Sequence, residues 1–261
     1  MEVLSARKRE IVKRWIFSQV GVDPNGHSIG SPANKTDEVP IHDPRMTTPK
    51  DIIAHNAINL KGSAQMVAEF FYYGVNSILY QRGIYPADSF KRAQKYGTTI
   101  LVTADEKVNN YLNPLIAQIE DWITSRGLQK VVVVIGSVQT GDILERWQFD
   151  VSVSEDEQAE LDKSQGHDHE PGTSIKSDKK ISQEITDVIR QITASVTFLP
   201  LLDTPCSFDI LLYTDRKVVV PRGWSESSPC YVINSREVQL RHFSTGLHAV
   251  GTRVTYRAEE G

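Results

Sequence analysis

The chain has 261 residues, 39% hydrophobic and 24% charged, which is ordinary for a globular protein with one good core or two small ones. Its 29 basic and 33 acidic residues give a net charge of −4, so no general attraction to nucleic acid is expected. The two cysteines are too few for a disulfide framework, and the longest apolar run, Val131–Ile135, is far too short to span a membrane.

Residues 1–56 differ in composition from the rest of the chain. The run from Arg7 to Arg14 carries five bases and one acid. It suggests a nuclear address or a contact with an acidic surface, but a frayed basic helix is the preferred interpretation. Residues 21–50 are rich in Gly, Pro, Asn, Ser and Thr. We therefore expect residues 1–56 to be a basic, disordered extension that ligand binding does not need.

Two amphipathic helices are predicted next. Apolar residues recur every three or four positions from Leu60 to about Tyr80, which is typical of one buried helical face. The second helix is predicted to begin with a capping box, with Thr103 as N-cap and Glu106 three residues later. Its buried face includes Trp122.

Two strands are then expected, joined by a glycine-containing loop at residues 137–142. The valine-rich run from Lys130 to Ile135 indicates a strand covered on both faces. Residues from Glu145 to Val153 alternate between apolar and polar, so this strand is half-buried, with Trp147 in the core.

Residues 154–180 have little apolar content, and we interpret them as a flexible acidic loop. His167 and His169 lie inside it and could be imagined as metal ligands. A flexible loop does not hold the geometry of a metal site, so a solvated histidine pair is the better interpretation.

A third helix and a further strand form the most informative part of the chain. The helix runs from Ile181 towards Pro200, with Arg190 opposite its apolar stripe. The strand from Cys206 to Tyr213 is apolar on both faces, and such a strand must be covered on both. The tail that follows has to supply part of that cover.

The tail alternates between apolar and polar residues in three stretches, at 231–234, 238–243 and 252–256. The first two are expected to pair as a hairpin. Gly246 and Gly251 interrupt the alternation, so the tail is predicted to be irregular and able to take more than one path.

No catalytic signature occurs in the sequence, which lacks a phosphate-binding glycine loop, a nucleophile elbow and a paired-histidine zinc helix. Cys206 could be proposed as a nucleophile, but buried thiols are usually inert. A binding module is favoured over an enzyme, because a small antiparallel sheet with an open edge can accept an extended peptide as an additional strand.

Several collinear segments carry a specific resemblance. They are Leu60–Ala64, Ile78–Pro86, Gln94–Gly97, Leu144–Asp150, Val188–Ala194, Val196–Leu202, Cys206–Asp209 and Tyr213–Asp215. Together they resemble the mitotic arrest deficient family of HORMA-domain spindle-checkpoint proteins over about residues 58–257. Residues 1–56 have no counterpart in that family, and the 154–180 loop is longer than the family's.

The resemblance implies an α+β HORMA fold at residues 57–257, with three helices on a mainly antiparallel sheet. Residues 215–257 would be the family's mobile C-terminal hairpin, the seat belt, which converts from open to closed around a peptide. Implied peptide partners are the Mad-one scaffold and the Cdc-twenty activator of the anaphase-promoting complex. BubR-type proteins, an AAA+ remodelling ATPase with a HORMA-like adaptor and an open–closed self-dimer are also implied. The implied locations are nucleus, kinetochore and cytoplasm, with no enzyme activity, cofactor, metal, nucleic acid or membrane insertion.

The resemblance also implies roles for particular residues. Trp122 would contact the seat belt, and Leu60 would tune the open–closed balance. Arg190, Gln191 and Phe198 would form the dimer interface, although spacing alone favours a solvated face for the first two and a core position for the third. The peptide-binding edge would comprise Ser207, Phe208, Asp209, Ile210, Leu211, Leu212 and Tyr213. The alternative within the fold is another HORMA adaptor, of the translesion-polymerase or meiotic-axis type.

Overall fold

The structure is a computed structural model that describes residues 1–6, 59–153 and 177–258. These residues form three α-helices and ten strands, which we number in chain order. The helices are α1 (Leu60–Gln81), α2 (Glu106–Thr124) and α3 (Asp178–Ala194). The strands are β1 (Glu2–Ala6), β2 (Phe90–Lys95), β3 (Thr98–Thr103), β4 (Leu128–Ser137), β5 (Ile143–Val153), β6 (Cys206–Thr214), β7 (Trp224–Glu226), β8 (Ser235–Gln239), β9 (Phe243–Ser244) and β10 (His248–Arg257).

One large sheet holds most of the strands, in the order β7-β1-β6-β4-β5-β10-β8, with β9 also paired to β10. Every strand pair in it is antiparallel. Strands β2 and β3 form a separate hairpin that was not predicted from the sequence. Its turn places both Tyr96 and Gly97 at positive φ, the conformation of a tight two-residue hairpin loop.

The three helices cover one face of the large sheet, as predicted. Helix α1 contacts both of the other helices and β10. Its Phe70 and Phe71 rings lie 5.8 and 5.6 Å from Phe149 of β5, in edge-to-face contacts that join helix and sheet. Asn59 caps α1 by accepting a hydrogen bond from the N–H of Gly62.

A buried ion pair ties the end of α1 to the sheet. Arg82 donates to Glu145 of β5 and also to the carbonyl of Pro200, while the indole N–H of Trp147 donates to the same glutamate at 3.1 Å. The carboxylate is thereby satisfied from two directions, as a buried charge requires. Trp147, predicted to be a core residue, is fully buried.

The start of α2 differs from the prediction. Asp105, not Thr103, is the N-cap, and its carboxylate accepts from the N–H groups of Lys107 and Val108. Thr103 is instead the last residue of β3, where its own N–H donates to Asn76 of α1 at 2.7 Å. A tertiary hydrogen bond therefore holds Thr103 in the strand.

The tail also differs. The predicted hairpin between residues 231–234 and 238–243 is wrong, because residues 231–234 form no strand and β8 pairs with β10. Backbone pairing with the long β10 decides which tail residues are extended, so alternation alone misplaced the strands. The third predicted stretch, 252–256, lies within β10.

The prediction of a disordered segment at residues 1–56 is wrong at residues 2–6. Residues 2–6 are strand β1, which pairs with β6 and belongs to the same compact unit as the helices and the sheet. The basic run and residues 21–50 lie outside the described residues, as do His167 and His169. Of the helices that the structure describes, none is both long and apolar enough to cross a bilayer.

Candidate functional site

The site is built around β6, whose residues are buried on both faces of the sheet as the sequence predicted. On the helix side, the ring of Phe208 lies 6.1 Å from Tyr85 and 5.9 Å from Tyr111. On the other side, Leu211 and Tyr213 form a buried cluster with two valines of β4. Because both faces are covered, only the edges of β6 are available for recognition of another strand.

One edge of β6 pairs with β4, and the other carries β1. The β1 register aligns Val3 with Tyr213, Leu4 with Leu212 and Ser5 with Leu211. The predicted peptide-binding edge, residues 207–213, is therefore an edge that holds an antiparallel strand along its C-terminal half. Within the described residues, no strand pairs with this edge at positions 207–210.

The carboxylate of Asp209 lies at the point where β1 and α2 meet this edge. It accepts from the hydroxyl of Ser5 at 2.9 Å and from the hydroxyl of Tyr111 at 3.3 Å. Burial raises the pKa of Tyr111 well above its ordinary value, and the negative charge of Asp209 adds to that rise. The phenol thus remains a hydrogen-bond donor throughout the physiological pH range.

The chain between β6 and β10, residues 215–247, wraps around β1, and we call it the belt. It leaves β6 beside α2, where the N–H of Asp215 donates to the carbonyl of Gly127 at 2.9 Å. Its strand β7 then pairs with the outer edge of β1. The indole rings of Trp224 on β7 and Trp122 on α2 lie 5.3 Å apart, so Trp122 contacts the belt directly.

After β7 the belt crosses the sheet face opposite the helices, and we call residues 227–234 the crossing segment. Cys230 packs on the cluster that contains Leu211 and Tyr213. Arg146 of β5 contacts the crossing segment at two places. Its Nε–H donates to the carbonyl of Pro229 at 3.4 Å, and its guanidinium lies 5.6 Å from the centre of the Tyr231 ring. The crossing segment therefore supplies the second cover that the strand pattern of β6 required.

The far end of the belt is fixed to α1. His248 is the first residue of β10, and its Nδ1 atom lies 2.6 Å from the hydroxyl of Ser63 on α1. The same Ser63 hydroxyl lies 2.6 Å from the hydroxyl of Thr245 in the belt. The Nε2 atom of His248 is buried and has no hydrogen-bond partner among the residues that the structure describes. Burial, together with the positive charge of Arg126, lowers the pKa of His248 to about 4.

The three residues expected at a dimer interface lie on or beside α3, next to the tail. Arg190 is exposed and lies 3.7 Å from Asp187. The Gln191 side chain accepts from the N–H of Arg241 in the belt, and the ring of Phe198 lies 6.4 Å from Tyr256 of β10. Phe198 is 42% exposed, so it is not the core residue that spacing alone suggests.

The remaining predicted residues have simpler positions. Leu60 is half-buried at the first position of α1, three residues before Ser63 and its contacts with the tail. Burial raises the pKa of the Cys206 thiol, and its sulfur contacts the carbonyl of Thr204 at 3.2 Å, so it is not an activated nucleophile. Among the described residues, no cluster of His, Cys, Asp and Glu could hold a metal ion.

Sequence reasoning missed β1, Arg146 and Trp224. The signal for β1 was the short apolar pair Val3-Leu4 ahead of the basic run. The signal for Arg146 was a basic residue within a strand, on the face that was expected to be polar. Neither local pattern identifies the distant partner that gives the residue its role.

Comparison with known proteins shows which proteins this chain is similar to. The HORMA domain model matches residues 63–248. The human mitotic spindle assembly checkpoint protein MAD2A is 52% identical over 200 residues, covering 77% of this chain and 93% of the relative. The Arabidopsis thaliana mitotic spindle checkpoint protein MAD2 is 43% identical over 211 residues, covering 81% and 96%. A chain in the crystal structure of a mitotic checkpoint complex is 41% identical, with a TM-score of 0.65, covering 76% of this chain and 99% of that one.

Proposed function

This chain belongs to the HORMA-domain family, and we propose that it is a switch protein of the spindle assembly checkpoint that traps an extended peptide along β6. The observation that carries the proposal is the arrangement at that edge, where a strand lies on β6 and the belt passes around it. Its relatives in human and Arabidopsis are named as mitotic spindle checkpoint proteins. The proposed switch is an adaptor rather than an enzyme.

The geometry supports a two-part mode of recognition. The backbone of β6 supplies a ladder of hydrogen bonds to any extended segment, whatever its sequence. The buried positions on the two faces of the edge then select apolar side chains at successive positions, which point to opposite faces. Closure of the belt adds β7 on the outside, so that the bound strand has neighbours on both edges, as a strand inside a sheet does.

The proposed peptide ligands are segments of the Mad-one scaffold and of the Cdc-twenty activator. Trapping the activator, together with BubR-type proteins, would inhibit the anaphase-promoting complex and delay anaphase. An AAA+ ATPase with a HORMA-like adaptor would reopen the belt. These partners place the proposed action at the kinetochore, in the nucleus and in the cytoplasm. A translesion or meiotic-axis adaptor is not favoured, because relatives at 43–52% identity carry spindle-checkpoint names.

Opening and closing of the belt should be slow. Strand β10 is paired with β5 from His248 to Tyr256, and this ladder anchors the closed belt. Each hydrogen bond contributes only about 1 kcal/mol net, but many must break before new ones form. We therefore expect conversion to take seconds or longer, beyond the range of ordinary loop motion.

The test uses a fluorescent peptide with a short basic-aliphatic stretch followed by proline, here called the partner-type peptide. Stopped-flow and competition measurements should show slow association and release limited by reopening of the belt. Deleting residues 248–261 should abolish tight binding, and a peptide with its aliphatic residues changed to Asp should not bind. Rapid release at the diffusion limit, or unchanged binding after the deletion, would contradict the proposal.

A further inference from the structure

The strand on the β6 edge belongs to this chain itself. We propose that residues 2–6 are a built-in ligand of the peptide site, held under the belt and exchanged for an external peptide when the belt opens. This inference rests on the proposed function, because it identifies the segment that occupies the same site when no partner is bound.

The backbone of β1 is paired on both edges. On one side, Val3, Leu4 and Ser5 align with Tyr213, Leu212 and Leu211. On the other, the register runs from Leu4 opposite Glu226 to Ala6 opposite Trp224, and the N–H of Ser227 donates to the carbonyl of Val3 at 2.9 Å. Because both edges are bonded, β1 cannot leave without detaching β7.

The side chains of β1 fit the two faces of the edge. Leu4 is 2% exposed and lies on the same face as Leu212, towards the helices. Val3 points to the opposite face, where it packs on the cluster of Leu211 and Tyr213 that Cys230 of the crossing segment also covers. The segment therefore satisfies the same requirement for apolar side chains on both faces that an external ligand would meet.

A polar contact fixes the register of β1. The hydroxyl of Ser5 donates to Asp209 of β6, a residue 204 positions away in sequence. A slip by one residue would turn Leu4 to the wrong face and remove Ser5 from the carboxylate. The pairing of β1 with β6 is thus specific in backbone register, in apolar packing and in hydrogen bonding.

Strand β1 occupies only part of the β6 edge, so an external peptide can bind the rest of the edge and replace β1. The β1 register covers Leu211 to Thr214, while no described strand pairs with the edge at residues 207–210. An external peptide long enough to follow the whole edge makes more ladder contacts than β1 does. It competes, however, with a ligand on the same chain, whose effective concentration is fixed by tethering and does not fall on dilution.

The experiment compares three forms of the chain: unchanged, lacking residues 2–6, and Leu4→Asp. Leu201→Asp is the matched control, since Leu201 is 89% exposed and the same substitution there leaves β1 intact. The partner-type peptide should bind the deleted and Leu4→Asp forms at least tenfold more tightly than the unchanged chain or the control. Equal affinity for all four would overturn the inference.

A second peptide separates the inference from the proposed function. A labelled peptide with the sequence of residues 1–10 should bind the deleted form and be displaced by the partner-type peptide, while its Leu4→Asp version should not bind. If the deleted form binds the partner-type peptide but not this one, the inference is wrong and the proposed function stands. If it binds only this peptide, the proposed function is wrong, and the exchange that the inference requires fails with it, although residues 2–6 still bind the edge.

Amide exchange on the unchanged chain keeps the test independent of variant folding. Residues 211–214 of β6 pair with β4 as well as with β1, so the informative N–H groups are those that point towards β1. These groups should be protected, and their protection should not depend on protein concentration, because the ligand is on the same chain. Protection that appears only at high concentration, together with oligomers in sedimentation, would show that β1 binds a second copy instead and would overturn the intramolecular assignment. Absence of protection in the unchanged chain would overturn it as well.

Discussion

The indole rings of Trp122 and Trp224 lie 5.3 Å apart, and this contact joins helix α2 to the short strand β7 of the belt. Trp122 is almost fully buried, whereas Trp224 is half-buried. Trp224 lies opposite Ala6 in the pairing of β7 with β1, so the contact lies beside the place where the belt holds β1. Its loss should therefore loosen the belt without disturbing the core.

We predict that Trp224→Ala speeds release of the partner-type peptide by about tenfold. An aromatic pair is worth about 0.5–1.5 kcal/mol beyond its buried area, and about 1.4 kcal/mol corresponds to a factor of ten. Competition kinetics would measure the rate. Val219→Ala, at an 86% exposed position of the belt, is the control and should release the peptide at the original rate. An unchanged rate for Trp224→Ala would show that the indole contact does not hold the belt.

Gly127 is predicted to be essential for the path of the belt. A Cβ atom at this position would collide with Cγ2 of Val218, next to the hydrogen bond from Asp215 to the Gly127 carbonyl. We expect Gly127→Ala to weaken peptide binding. The double variant Gly127→Ala/Val218→Ala should recover most of the lost affinity, because it removes the colliding atom. If the double variant binds no better than Gly127→Ala, the collision is not the cause.

The self-dimer that the resemblance implies should be weakened tenfold or more by Arg190→Ala, with the fold left intact. The side chain is 64% exposed, and its contact with Asp187 is an exposed ion pair of the kind that contributes little to stability. Sedimentation across a concentration series would measure the dimer. Lys179→Ala, an exposed charge on the same helix, is the control. A large fall in melting temperature would show instead that Arg190 supports the fold.

Because His248 is buried in its neutral form, we predict that the folded state loses stability in mild acid. Burial favours the neutral imidazole and lowers its pKa to about 4, whereas the unfolded chain has the ordinary value of about 6.5. The unfolded state therefore binds more protons between these values, so the stability from this residue is complete above about pH 6.5 and falls towards pH 4. At about 1.4 kcal/mol per pKa unit, the loss is of order 3 kcal/mol.

Denaturant unfolding between pH 7 and pH 4.5 would measure this loss. His248→Gln is the comparison, because glutamine keeps a polar group near Ser63 but does not titrate. The free energy of unfolding of the variant should change less over this range than that of the unchanged chain. Parallel profiles for the two proteins would assign the acid sensitivity to other groups.

Local patterns in the sequence were sufficient to predict the helices and strands in which apolar residues recur regularly. Helices α1, α2 and α3 and strands β4, β5 and β6 were predicted because burial of one helical face, or of one or both faces of a strand, dictates residue types over six or more positions. The β6 pattern also required a cover on each face, and the helices and the crossing segment supply these covers. The resemblance then led to the HORMA fold and to the edge of β6.

Three features were decided only by tertiary structure. The N-cap of α2 moved to Asp105 because Thr103 bonds to Asn76, and the tail strands are placed by pairing with β10. Strand β1 is the clearest case, because Ser5 meets Asp209 across 204 positions of sequence. Five residues carry too short a pattern to identify such a partner. Pairing of strands is a contact between distant segments, so the sequence determined which segments could form strands, and the folded chain decided that β1 occupies the edge on which a ligand would bind.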